Sequence, residues 1–150
     1  MQIVANNKKA FFEYFILEKI EAGIQLTGDE VKSLRVGKAS IKEAYAEAKK
    51  GQLFLVNSDI SNYEKASSYS KLNSKRVRKL LVHKKEISKL QGKIEKEGMT
   101  IVPLKLYFNN KGIAKVEIAI AKGKKLYDKR EVKKKKDWNI QKKRLLKNLN

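Results

Sequence analysis

The chain has 150 residues and carries 36 Lys and Arg against 16 Asp and Glu, a formal net charge of +20 at neutral pH. That length suits one domain plus an extension, and so large an excess repels itself in the compact state, so it points to a polyanionic partner (nucleic acid, anionic membrane or acidic protein), with a merely solubilising surface as the bland alternative. The lack of cysteine and a single histidine, His83, exclude disulfides, thiolate chemistry and a histidine-rich metal site, and no apolar run approaches the roughly 20 residues that span a bilayer.

The first nine residues also lack the apolar stretch of a signal peptide, so a cytoplasmic protein is expected. A β-region covers about 12–26, with Tyr14, Phe15, Ile16, Leu17, Ile20, Ile24 and Leu26, and Gly23 is expected to mark a turn or bend within it. Thr27-Gly28-Asp29-Glu30 matches a capping box, Val31 and Leu34 then share a face, and Gly37 supplies a stop. Residues 43–48 are rich in helix formers, but Lys50-Gly51 followed by Leu53 and Leu55 alternating with Phe54 and Val56 favours a hairpin of 42–49 with 52–60. A polar loop follows over 61–78, long enough to suggest a functional role. Ile87, Leu90 and Ile94 at helical spacing place a second helix over about 84–97, with Gly98 at its end.

Two strands are expected over 100–108 and 113–121. In the first, Val102, Leu104, Leu106 and Phe108 share one face and Lys105 and Tyr107 the other. In the second, Ala114, Val116, Ile118 and Ile120 alternate with Lys115 and Glu117. Asn109-Asn110-Lys111-Gly112 joins them as a hairpin, and Pro103 requires an edge or a bulge. The predicted class is mainly β with flanking helices: a small antiparallel β-barrel, closed or partly open, to which the oligonucleotide-binding barrel belongs. The predicted division is a barrel domain at 1–121 and a basic tail at 122–150.

The tail holds 13 Lys and Arg against three acidic residues, half the net charge of the chain. Such a segment neutralises phosphates and releases counterions. As a helix it would put Trp138, Leu145 and Leu149 on one narrow face with Ile140 nearly opposite, too little to cover an apolar stripe. It is therefore expected to be disordered when free and helical when bound, with Trp138 available to stack on a base. A solvated helix docked on the core by Trp138 is the rival reading, and a membrane-surface helix a third.

On the domain itself, Lys8-Lys9, Lys75-Arg76-Val77-Arg78-Lys79 and Lys84-Lys85 lie in a chain with Tyr63, Tyr69 and Tyr107, a mixture suited to phosphate contacts and base stacking. Glu21 reads either as a surface ion pair or as an acceptor for base edges or a 2′-hydroxyl. His83 reads as a cap-region residue, without a nucleophile to serve. The scattered glycines match no phosphate-binding loop.

Four segments together resemble the bacterial small protein B family, the transfer-messenger-RNA-binding (SsrA-binding) proteins of trans-translation. They are Glu21-Ala22-Gly23-Ile24-Gln25-Leu26-Thr27-Gly28-Asp29-Glu30-Val31-Lys32-Ser33-Leu34-Arg35, Arg78 to Glu86, Pro103 to Asn110, and Ala121 to Glu131. The resemblance implies an oligonucleotide-binding-type barrel with a basic tail, an RNA-binding factor rather than an enzyme, no cofactor, no membrane, and a monomer when free. The implied partners are the tRNA-like domain of transfer-messenger RNA and the ribosomal RNA of the decoding region and message channel. Delivery to stalled ribosomes, tagging of the nascent chain and ribosome rescue would follow.

The implied RNA face comprises Asn7, Lys8, Glu21, Leu81 and His83, with Lys32, Arg35, Arg78, Lys79, Tyr107, Lys122, Lys124 and Lys125 added by position. Tyr127, Asp128, Lys129, Arg130, Lys133, Lys134, Lys135, Trp138, Lys142 and Lys143 form the implied ribosome-contacting tail. Phe11 and Phe12 depart from the Arg-His pair common in the family, and Asn62 from a frequent proline. A structural ribosomal protein with a basic extension and an RNA-processing nuclease are the rival functions.

Overall fold

The computed structural model describes residues 1–62 and 73–124. The middle of the expected polar loop, with Tyr63 and Tyr69, and the chain from Lys125 onward lie outside the described residues. The elements run β1 (Gln2–Asn6), α1 (Lys8–Glu13), β2 (Tyr14–Ile24), α2 (Gly28–Arg35), β3 (Ala39–Ser40), β4 (Tyr45–Lys49), β5 (Gln52–Val56), β6 (Asp59–Ile60), β7 (Arg78–Leu81), α3 (Lys84–Glu97), β8 (Thr100–Phe108) and β9 (Ala114–Gly123). This is a mainly β protein with a few helices. All pairings are antiparallel, in the order β1-β8-β4-β5-β7-β2-β9. A further β8–β9 pairing brings the order back to β8.

The helix starts follow from local chemistry. Thr27 Oγ1 accepts from the Glu30 amide at 3.3 Å while Glu30 Oε1 accepts from the Thr27 amide at 2.9 Å, the reciprocal capping box. Helix α3 ends at Gly98, whose φ of 62° is the left-handed conformation glycine adopts without a Cβ penalty. Helix propensity loses at 43–48 because Lys50 and Gly51 both take positive φ, 51° and 72°. That is the tight turn whose twist matches a hairpin, and it lets Ala46, Leu53 and Leu55 enter the core at 5% exposure or less. Burying each leucine contributes about 1.5–3 kcal/mol, more than the helix preference summed over so short a segment.

Strand β8 departs from the expected single apolar face. Its register against β9 shifts between Pro103 and Lys105, a bulge at Leu104. The extra residue turns the alternation over. Val102 and Leu104 pack with Ala10, Ala119 and Ala121 in a small outer cluster, whereas Ile101, Leu106 and Phe108 join the main core with Val116, Ile118 and Ile120. Pro103 therefore sits at a bulge, as its missing amide requires. Other differences are local. Residues 12 and 13 belong to α1 rather than to a strand, β1 and β7 were not expected, and β9 continues past 121 to Gly123. Gly23 is no turn: it pairs with Leu81 on one side and Lys115 on the other.

Candidate nucleic-acid interface

Period-two alternation turns Ala22 and Ile24 of β2 inward and Glu21 outward. On the neighbouring β7, Leu80 enters the core while Leu81 is 48% exposed. These outward positions, with the turn at Lys50-Gly51, Lys115 of β9, and His83 and Lys84 at the start of α3, line an open groove of about 1070 Å³. Gly23 shapes its floor. A Cβ there would stand 3.2 Å from the Cβ of Leu81, closer than ordinary contact, so the absent side chain lets β2 and β7 approach.

The groove is basic but not uniformly so. Lys19, Lys50, Lys79, Lys84 and Lys115 line it together with Glu18, Glu21 and Glu86. Glu18 is taken by Lys89 at 2.6 Å. Glu21 accepts a short hydrogen bond from the phenol of Tyr107, a residue only 5% exposed. Burial, reinforced by that bond and by the Glu21 charge, pushes the Tyr107 phenol well above its ordinary range. The phenol thus stays protonated and aims an exposed carboxylate into a cationic groove. The lysines suit phosphates, and the carboxylate suits amino, imino or hydroxyl donors.

Of the residues expected to contact RNA, Glu21, Lys79, Leu81 and His83 meet in this groove, and Tyr107 touches Glu21 from below. His83 is also the N-cap of α3, its carbonyl accepting from the amides of Glu86 and Ile87. The others lie elsewhere. Lys8 is exposed on α1, and Lys32 and Arg35 are exposed on the last turn of α2. The Arg35 guanidinium stands 5.8 Å from the centre of the Phe108 ring. Lys122 pairs with Phe15 in the β2–β9 ladder. Lys124 donates to the Phe11 carbonyl at 3.1 Å and lies 5.2 Å from the Phe15 ring, so both belong to the folded part. Lys125, Tyr127, Asp128, Lys129, Arg130, Lys133, Lys134, Lys135, Trp138, Lys142 and Lys143 lie outside the described residues.

Besides Tyr107, two of the expected contacts have buried side chains committed to the fold. Asn7, 3% exposed, caps α1 by accepting from the Ala10 amide and donates to the carbonyls of Pro103 (2.9 Å) and Ile41 (3.3 Å). Arg78, 0% exposed, donates through Nε to Glu30 at 2.7 Å, through Nη1 to the carbonyl and hydroxyl of Ser58, and through Nη2 to the Ser74 carbonyl. Arg76 adds a 2.6 Å bond to Glu30. Burial pushes the Glu30 carboxyl up, but bonds from Arg76, the Thr27 amide and Arg78 outweigh it and hold the group below the ordinary carboxylate range. At these two positions the polar side-chain groups are bonded within the fold.

Sequence reasoning missed Lys19, Lys50 and Lys115. Parity gives two of them: Lys19 shares the outer face of β2 with Glu21, and Lys115 stands opposite Gly23 in register. Among the described residues, no group of three His, Asp or Glu could hold a metal ion, and no helix is long and apolar enough to cross a membrane.

The family model for SmpB protein matches residues 4–148. The chain belongs to the SmpB family. It is 55% identical over 146 residues to the SsrA-binding proteins of Nitrobacter winogradskyi and of Rhodopseudomonas palustris strain HaA2, covering 97% of this chain and 92% of each relative. A solved chain described as "tmRNA-SmpB: a journey to the center of the bacterial ribosome" superposes with a TM-score of 0.66 at 50% identity, over 79% of this chain and 82% of that one. The likeness drawn from the four sequence segments therefore extends over residues 4–148. In this SmpB-family fold the segment Glu21 to Arg35 runs from the groove, through the capping box, into α2.

Proposed function

We propose that the chain binds the tRNA-like part of transfer-messenger RNA through the β2–β7–β9 groove and accompanies that RNA to stalled ribosomes, where the nascent chain is tagged and the ribosome released. The observation that carries this reading is the convergence of Glu21, Lys79, Leu81 and His83, drawn from two separate family segments, on one basic groove. The names of the relatives and of the solved neighbour support the same partner. The return of the strand pairings to β8 supports a closed barrel of the oligonucleotide-binding type, whose outer surface is a common platform for nucleic acid. The chain after Lys124, with 11 of the 36 Lys and Arg, serves in this reading as the part that contacts ribosomal RNA. The factor works by shape and charge rather than by catalysis.

Mobility shift with transfer-messenger RNA and with bulk tRNA tests the binding. A clear preference for the former is expected, and equal weak binding to both would refute the specific reading. Removing residues 131–150 should leave that binding mostly intact and abolish tagging on ribosomes. Loss of RNA affinity on truncation would make the tail the main anchor and overturn the division of labour.

A further inference from the structure

We propose that Phe11 and Phe12 form a stacking platform for unpaired bases of the bound RNA, continuous with the groove through Lys19; this rests on the RNA-binding reading above. Helix α1 has one buried residue, Ala10, which packs on Val102, Leu104, Ala119 and Ala121. The two residues that follow face outward, Phe11 at 45% and Phe12 at 79% exposure. A scattered exposed aromatic needs no account, but two adjacent ones on a six-residue helix offer two aromatic rings to solvent at one end of the fold.

The surroundings say what covers it. The Lys19 ammonium stands 5.8 Å from the centre of the Phe11 ring, and Lys124 is bonded to the Phe11 carbonyl and lies over the Phe15 ring. The nearby carboxylates each have a lysine partner: Glu13 and Glu43 share Lys9 at 3.6 and 2.7 Å, and Glu18 holds Lys89. An exposed aromatic ring with a cation beside it, as Phe11 has in Lys19, fits a nucleotide, which supplies a flat base and a phosphate at once. Lys19 also lines the groove. An RNA strand leaving the groove past Lys19 therefore meets Phe11 next. Stacking is indifferent to base identity, so this platform adds affinity rather than sequence choice.

The test uses the full chain and labelled transfer-messenger RNA at fixed salt, with anisotropy as the readout. Replacing both phenylalanines by leucine keeps the bulk apolar but removes the flat faces, and replacing both by tyrosine keeps the faces. The Leu pair should weaken binding about 25-fold or more, since each of the two stacks is worth roughly fivefold upward, while the Tyr pair stays within about twofold. The slope of log affinity against log salt should be unchanged in the Leu pair and fall by about one in Lys19→Gln. Wild-type affinity in the Leu pair overturns the proposal. So does loss of affinity only in a Ser pair, which would mark a plain apolar contact, or a change in sedimentation of the free Ser pair, which would mark self-association. A wild-type chain that does not prefer transfer-messenger RNA over bulk tRNA refutes the underlying RNA reading instead, whatever the phenylalanine variants do.

Discussion

Arg78 decides whether a basic residue in a family segment acts on RNA or on the fold. Its side chain is 0% exposed and that of Glu30 is 7% exposed. The guanidinium has five N–H donors, and Glu30, Ser58 and Ser74 receive them. Arg78→Met preserves the stem and removes the charge, leaving two acceptor sites on Ser58 and one on Ser74 without their donor. Breaking a buried pair by deleting one partner costs about 3–5 kcal/mol. Arg76 and the Thr27 amide still reach Glu30 at 2.6 and 2.9 Å, which places Arg78→Met at the lower end, about 3 kcal/mol. Against a total stability of about 5–15 kcal/mol that is a large fraction. Glu30→Gln should cost a similar amount by stranding Arg78, although glutamine still completes the capping box.

Urea unfolding followed by far-ultraviolet circular dichroism measures the two single variants and the double. The double should cost about 1–3 kcal/mol less than the sum of the singles, because the second change removes a charge that the first left unpaired. Additivity to within about 0.5 kcal/mol would refute the buried-pair account. The pH dependence has a fixed sign. The folded Glu30 carboxyl lies below its unfolded value, so its contribution is complete above the ordinary carboxylate range and disappears as pH falls through the folded value. The gap between wild type and Glu30→Gln should close in acid. At a temperature where Arg78→Met remains folded, its RNA affinity should stay close to wild type; a selective loss of affinity in the folded variant would restore Arg78 to the RNA face.

Two further outcomes test the groove. Alkaline difference spectroscopy should show a tyrosine step well above the ordinary phenol range that is missing in Tyr107→Phe, since burial and the Glu21 carboxylate both hold that proton. Gly23→Ala should lower stability by about 1 kcal/mol and weaken RNA binding together, because the new methyl meets the Leu81 Cβ, which a rotamer change cannot move; a variant as stable as wild type would show that β7 yields freely.

The sequence made some elements legible because a local rule and the tertiary outcome agree. The capping box at Thr27 and Glu30, the glycine after α3, and the alternation of Val116, Ile118 and Ile120 each specify an element without distant help. The failures are cases where a distant partner decides. Strand β7 hides in a basic run because the acid that buries Arg78 lies 48 positions earlier. The face of Leu104 depends on a bulge that only the β8–β9 register reveals. Gly23 looks like a bend until its approach to Leu81 is seen. The site divides in the same way. Parity on β2 could have joined Lys19 to Glu21, but nothing local brings either to Lys79, which reaches the groove through the pairing of Gly23 and Ile24 with Leu81 and Leu80.

Bulk charge is a poor guide to which cations meet a polyanion. Arg76 and Arg78 are matched to Glu30, Lys9 to Glu13 and Glu43, and Lys93 to Glu97, all within the chain. The groove lysines instead surround a carboxylate that phosphates would repel. A groove meant only for phosphate would be improved by removing Glu21, yet Tyr107 keeps that carboxylate oriented there at the cost of burying a phenol. Phosphate attraction brings any RNA to the surface and carries no sequence information. An oriented acceptor inside the cationic field favours RNA that offers a donor at that point and penalises RNA that offers only phosphate. In the proposed reading the lysines therefore supply association and Glu21 supplies discrimination. Glu21→Gln should accordingly narrow the gap between transfer-messenger RNA and bulk tRNA more than it lowers affinity for either.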